Sequence, residues 1–181
     1  MIPEGVLKSG NIVVLKGGSW SKLLKGIFSK DTRNLYLART LISVVTLSRY
    51  THTATLIQKE DGKWYFVQAL YYGGVTETEL YLPWFESQIE ENKLDVFEDS
   101  TFDISKFNNR LMEVLGKKYW VMGIINIGLY NLFGKNKYTD YTDKFFCSHL
   151  TTYLHELPIN EQYCLNSPAD VAGTNILRRI I

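Results

Sequence analysis

The sequence predicts an α+β fold, with an antiparallel set of strands in its first half and helices mostly in its second. Three observations carry this. Two β-rich runs flank Glu60-Asp61-Gly62, which is a hairpin signal. Two more strand-like runs follow within thirty residues. From Ile104 onward, apolar residues recur at helical spacing instead. The chain of 181 residues fits one domain over 1–181 and is long enough to bury a core without disulfides or metals.

The elements are read in order. Residues 11–15 follow Gly10, form a β-branched run and stop at Gly17-Gly18, so they read as a strand. Ser19 can cap a helix through Phe28 that aligns Trp20, Leu23, Leu24 and Ile27 on one face. A polar turn, 29–34, leads to a second helix over 35–47, a largely apolar stretch that contains Arg39. Residues 51–58 and 63–71 are the hairpin strands. Residues 74–80, with alternating Val75, Glu77 and Glu79, form a third strand, and 93–98 another. A helix covers 104–115 and Gly116 interrupts it. Residues 117–133 form a buried helix, since the apolar stretch from Tyr119 to Phe133 is short of the roughly 20 residues a membrane span needs. Residues 138–143 are a tyrosine-bearing loop, 145–156 a helix ended by Pro158, and Ser167-Pro168-Ala169-Asp170 a turn or the start of a last short helix.

Composition limits the function classes. The apolar fraction is 45% and the charged fraction 22%, as in ordinary globular proteins. A net charge of +1 is no footprint for nucleic acid and no strong one for a membrane surface. Two cysteines, neither in a CxxC, give no disulfide framework, and a reduced setting is the simplest reading. No signal peptide opens the sequence, so the expected location is cytoplasmic, with export of a longer precursor left open. No cofactor is expected.

One cysteine and one histidine carry the chemistry. Cys147 stands near the start of the helix 145–156, where Thr142 or Asp143 can cap the first turn. Unpaired amides and the helix dipole there favour negative charge, so the thiol is expected to have a lowered pKa. The opposing reading is a buried, inert cysteine. His52 opens the first hairpin strand. If Glu60-Asp61-Gly62 is a three-residue loop with Gly62 left-handed, Lys59 faces Lys63 and Ala54 faces Gln68. His52 and Gln68 then share one face as diagonal neighbours. Gln68 lies among apolar residues and needs a partner if buried. Its amide oxygen can accept from one imidazole nitrogen, giving the nucleophile, base and orienter of a cysteine hydrolase. A two-residue Asp-Gly loop would shift the register and put Gln68 on the other face.

Rival readings are weaker. Cys147, His149, His155 and Cys164 could suggest zinc, but the spacing lacks a CxxC or HxxxH signature, and no metal is expected. Gly17-Gly18 is not followed by a phosphate-loop motif. Tyr138 and Tyr141 either line the cleft or belong to a surface loop. Cys164 reads as structural, and His149, two residues along from Cys147, as non-catalytic.

Several motifs, in order, resemble a known family. Gly10-Asn11-Ile12-Val13 is similar to its opening Gly-Asp-Ile-Val strand. Thr51-His52-Thr53-Ala54 resembles its histidine-bearing strand, and Gln68-Ala69 its polar residue before Ala, usually Glu. Gly116-Lys117-Lys118-Tyr119 matches a Gly-x-x-Tyr element. Phe146-Cys147-Ser148-His149 resembles its aromatic-Cys-Ser-Glu, and Pro168-Ala169-Asp170 its closing Pro-x-Asp turn. The family is the circularly permuted papain-like cysteine amidases and peptidases, the YiiX/YaeF type of the NlpC-like superfamily. The resemblance spans residues 8–170, and the order of histidine before cysteine is its specific part. It implies a papain-like antiparallel sheet packed against helices. It further implies acyl transfer to water, with Cys147 as nucleophile, His52 as base and Gln68 as orienter. The substrate would be a peptide, an amide-linked small molecule or a cell-wall peptide. The same superfamily supports lipid acyltransferases and thioesterases, and a third reading is an interaction module that has lost activity. Gln68 in place of the acid adds no charge to stabilise an imidazolium.

Overall fold

Glu60, Asp61 and Gly62 close the hairpin on which the sheet is built. Gly62 adopts a left-handed conformation, φ +79°, which costs a glycine nothing. Lys59 N–H donates to Lys63 O at 3.0 Å, and Lys63 N–H to Asp61 Oδ1 at 2.9 Å. The loop therefore has three residues. Strands β2 (Tyr50–Gln58) and β3 (Trp64–Leu70) pair with Gln58 opposite Trp64 and Thr55 opposite Val67, the register the three-residue loop predicts.

The structure is a computed structural model that describes residues 5–17, 48–133, 143–159 and 165–181. The expected helices over 19–28 and 35–47, most of the loop 138–143, and Cys164 lie outside the described residues. Strand β1 (Ile12–Lys16) pairs antiparallel with β2 and with β5 (Leu94–Asp99). Strand β4 (Gly74–Glu79) extends the sheet beyond β3, and β8 (Leu177–Arg179) extends it beyond β5. The order is β4-β3-β2-β1-β5-β8, antiparallel throughout. Two short strands, β6 (Lys118–Tyr119) and β7 (Lys144–Phe145), form a separate parallel pair.

Side-chain alternation divides the core between the sheet's two faces. Val13, Ala54, Leu56, Phe66 and Leu94 pack with Phe85 of α1 (Leu82–Glu90). Ile57, Val67 and Val75 pack on the other face with Phe107 and Leu111 of α2 (Ile104–Val114) and with Leu150 and Leu154 of α4 (Cys147–His155). Helix α3 (Val121–Phe133) and α5 (Pro168–Gly173) complete the described helices. Ser167 caps α5 in a reciprocal box with Asp170, which explains the Ser-Pro-Ala-Asp motif.

Four expectations need correction. The helix foreseen over 117–133 starts at Val121, because Lys118 and Tyr119 are drawn into the β6–β7 pair. It is not buried all round, since Val121, Met122, Ile125, Tyr130 and Phe133 are exposed. The helix foreseen from Phe145 starts at Cys147, and its N-cap is Phe146, in extended backbone with no side-chain cap. Asp143 therefore does not cap it. Helix α1 and strand β8 went unforeseen. The helix buries only Phe85 fully, too little for a periodic signal, and the strand has three residues.

Candidate active site

Cys147 is the first residue of α4 because Phe145 and Phe146 are fixed before it. Phe145 is held in β7, and Trp120 N–H donates to its carbonyl at 3.0 Å. Phe146 packs on Trp120 and Gly123. A Cβ on Gly123 would lie 2.6 Å from the Phe146 ring, so the glycine permits the close approach of α3. The first amides of α4 are thus turned towards the Cys147 sulfur.

Residue pairing between β2 and β3 runs from Gln58/Trp64 to Thr55/Val67. The sulfur lies beside Thr53, just past the end of that run. It is met by the backbone amides of Thr53, Ser148 and Cys147 and by the Thr53 hydroxyl, all of which pull its pKa down. Burial outweighs them and pushes the thiol above its ordinary value. This corrects the expected lowered pKa. The helix start supplies the amides, but the site is dry, and a dry site disfavours charge. At rest Cys147 is a neutral thiol.

His52 neighbours Thr53 in β2, and its Nε2 lies 2.9 Å from Gln68 Oε1. Gln68 Nε2 points to Thr78 Oγ1 at 3.4 Å, which orients the amide with its oxygen towards the ring. Nε2 of His52 then carries the proton, and Nδ1 is the basic nitrogen of the neutral ring. The diagonal contact read from the hairpin register is thus present. The structure brings His52 and Gln68 together on the strand face of Ala54 and Phe66; the Cys147 sulfur meets Thr53, the next residue of β2, whose side chain alternates to the face of α4.

Tyr119 approaches from β6. Burial, and then the charge of Cys147, raise its phenol well above the ordinary value, so it remains a neutral donor near the sulfur. Asn11 ties the chain before β1, accepting from Lys8 N–H at 2.6 Å. That is a structural task. His149 packs among Phe145, Phe146 and Trp120.

A polar seam below Cys147 was missed in the sequence. Thr53 Oγ1 and Thr151 Oγ1 are 2.9 Å apart, and Thr55 Oγ1 is 3.0 Å from His155 Nε2. His155 Nδ1 lies 2.9 Å from Asp99 Oδ2. Asp99 Oδ1 accepts from Thr101 N–H at 2.8 Å and from its hydroxyl at 2.7 Å. Burial depresses His155 below its ordinary value, opposed by Asp99. Burial would raise Asp99, but the bonds from His155 and Thr101 hold it low. Neutral His155 donates through Nδ1 and accepts from Thr55. This Thr-His-Asp array has both charged-type side chains at 0% exposure, closed to a substrate. It clamps α4 to β2 and β5. The available signal was period: Thr53 and Thr55 alternate on a strand, and Thr151 and His155 stand one helical turn apart.

No model of a known family matches the sequence, and no curated protein matches it. Among solved structures, the chain is similar to metalloprotein yiiX from Escherichia coli O157:H7, a DUF1105 protein. They share 15% identity with a TM-score of 0.60, over 96% of each chain. That protein is described as a metalloprotein. Among the described residues here, no group of three or more His, Cys, Asp or Glu side chains could hold a metal ion, so the donor sets present do not fit one. The six-stranded antiparallel sheet with its packed helices is the α+β, papain-like fold of yiiX.

Proposed function

We propose that the chain is a cysteine-dependent hydrolase that transfers an acyl group from an amide or ester to water. The observation that carries the reading is the His52–Gln68 bond at 2.9 Å, made beside the strand residue whose amide meets the Cys147 sulfur. A base held in one tautomer and a thiol at a helix start are the parts that nucleophilic catalysis uses.

The raised thiol pKa and the uncharged orienter favour one order of events. Cys147 and His52 begin neutral. The sulfur forms a bond to the carbonyl carbon as His52 Nδ1 takes its proton. The oxyanion is held by the Cys147 amide, with the Tyr119 phenol as a second donor. The imidazolium gives its proton to the leaving group as the carbon–leaving-group bond breaks. Water then attacks the thioester as His52 takes a proton from it; the carbon–sulfur bond breaks, His52 gives that proton to sulfur, and the acid departs. By resemblance the substrates are peptides, including cell-wall peptides, or amide-linked small molecules.

The burial of Cys147 favours a second reading, in which the fold is kept for binding and the thiol is inert. Acylation by a panel of activated esters and amides decides between them. The expected result is one acyl group per chain on Cys147, found by mass spectrometry, with the rate falling about 100-fold or more in His52→Ala. Equal rates in the two proteins would remove His52 as base. No acylation at any pH would leave the binding module.

A further inference from the structure

Three buried side chains at the top of the polar seam share two hydroxyl protons and one thiol proton. Thr53 stands on β2, and Thr151 lies one turn along α4 from Cys147. Alternation and helical period bring both threonines to the interface between sheet and helix. Thr53 is 0% exposed, and Cys147 and Thr151 are each 1% exposed, so bulk water reaches none of them. Each proton must then be placed among the groups at hand.

The hydrogen bonds fix a direction. Thr151 Oγ1 lies 3.2 Å from the Cys147 carbonyl oxygen, which can only accept, so the Thr151 hydroxyl donates there. Thr53 Oγ1 is 2.9 Å from Thr151 Oγ1. The Thr151 proton is already committed, so Thr53 is the donor of that pair. Thr53 also meets the Cys147 sulfur. With its own proton turned to Thr151 it offers the sulfur a lone pair, and the neutral thiol donates to it. The resting order runs from thiol to Thr53, from Thr53 to Thr151, and from Thr151 to the Cys147 carbonyl, a ring closed on one residue. A thiolate has no proton to give. It takes one from Thr53 only when Thr53 turns away from Thr151.

The titratable groups around the ring are engaged elsewhere or face only the sulfur. Tyr119 faces the sulfur from β6. His52, next to Thr53 in β2, is bound to Gln68. His155 and Asp99 hold each other lower in the seam. Arg110 and Glu113 of α2 are bonded to Tyr153, and Asp170 of α5 to Ser167.

We propose that Thr53 is a positioning residue for Cys147, a hydroxyl that accepts from the thiol at rest and turns to donate to the thiolate, and that Thr151 holds it in the resting direction. The two threonines oppose each other. Thr53 favours the charged sulfur, because a hydrogen bond to a charged group is roughly twice as strong as a neutral one. Thr151 favours the neutral sulfur, because it occupies the proton that the thiolate needs. The ring stands on the hydrogen bonds; its use in acyl transfer rests on reading Cys147 as the nucleophile.

Titration of Cys147 tests it, followed by the Cβ chemical shift in the full chain labelled at cysteine, with Cys147→Ser distinguishing its signal from that of Cys164. Thr53→Val should raise the midpoint by about half to one pH unit, and Thr53→Ser should restore it. Thr151→Val should lower the midpoint by about half a pH unit, because Thr53 is then free to donate to sulfur. Where a valine variant has a lowered thermal transition, the alanine variant replaces it. A purely structural role moves both variants in one direction through loosened packing, so shifts of the same sign, or none, would overturn the proposal. So would a Cys147 that stays protonated in every form up to the pH at which the chain unfolds. Acylation is the second readout. A rate that falls about three- to tenfold in Thr53→Val and recovers in Thr53→Ser ties the ring to acyl transfer. Opposite titration shifts with no acylation of any form keep the ring and remove the catalytic reading of Cys147.

Discussion

Helices α3 and α4 distribute their side chains in opposite and equally unusual ways. Helix α3 has an apolar sequence and shows much of it to solvent. Helix α4 buries eight of its nine residues, and five of those eight are Ser148, His149, Thr151, Thr152 and His155. Ordinary packing would favour the reverse. Polar groups are stable in a core only when each finds a partner, and the partners must stand at fixed places. Thr53, Thr55 and Asp99 hold α4 from the sheet, and the Asn166 carbonyl accepts from Ser148 Oγ at 2.6 Å. Those bonds fix both the rotation of α4 and its height along β2, and hence the place of Cys147. An apolar interface would tolerate sliding. Helix α3 makes no such demands on its outer side, so that side remains available. One helix is positioned from within; the other presents a surface outward.

The contrast can be broken first at its deepest point. His155→Phe removes a partner from Asp99, which keeps its bonds to Thr101 alone. A buried charge that loses a partner costs about 3–5 kcal/mol, read as a lower denaturation midpoint in urea at constant slope. Ile125→Asp on the outer face of α3 should stay within about 0.5 kcal/mol of wild type. Similar losses in both would mean that the seam is not special.

The two helices meet at Gly123, and a smaller effect is expected there. Gly123→Ala drives a methyl into the Trp120 and Phe146 rings, 2.5 and 2.6 Å from the ideal Cβ. Overpacking of this kind costs about 1–3 kcal/mol. Because Phe146 adjoins Cys147, acylation should slow in the same variant, while Ile125→Asp leaves the acylation of a soluble ester unchanged. A stability loss with no change in rate would separate α3 from the placement of the thiol.

The mildest test is acidity. The folded His155 has a pKa below its ordinary 6.5, so as the pH falls the unfolded chain binds this proton first. Its contribution is complete above 6.5 and is lost as the pH falls through the folded value. Asp99, also held low, adds stability that is present above its ordinary 3.8 and lost in stronger acid. Urea midpoints between pH 7 and 5 should therefore decline in wild type and flatten in His155→Phe. An equal decline in both would assign the acid sensitivity elsewhere.

Much of the sheet was legible because its signals are local. Gly62 in a three-residue loop sets the hairpin register, and the register sets the His52–Gln68 diagonal. Capping of α5 by Ser167 and Asp170 is likewise written in four consecutive residues. Helix α1 was not legible, because a single deeply buried residue, Phe85, leaves no period to detect. Neither was the start of α4. Phe145 pairs as a strand with Tyr119 in β6, twenty-six positions earlier, and nothing local marks that pairing.

The sequence by itself determined the strands of the hairpin and the presence of a cysteine near a helix start, and it offered two hairpin registers, of which the three-residue loop pairs His52 with Gln68. Each follows from turn chemistry, alternation or capping within a few residues. Only the tertiary structure decided the charge state of Cys147, the Asp99–His155–Thr55 clamp and the exposure of α3. These depend on what lies across the sheet or beside the helix. Desolvation of a thiol is a property of everything around it, and here it outweighs the helix-start amides that the sequence had promised.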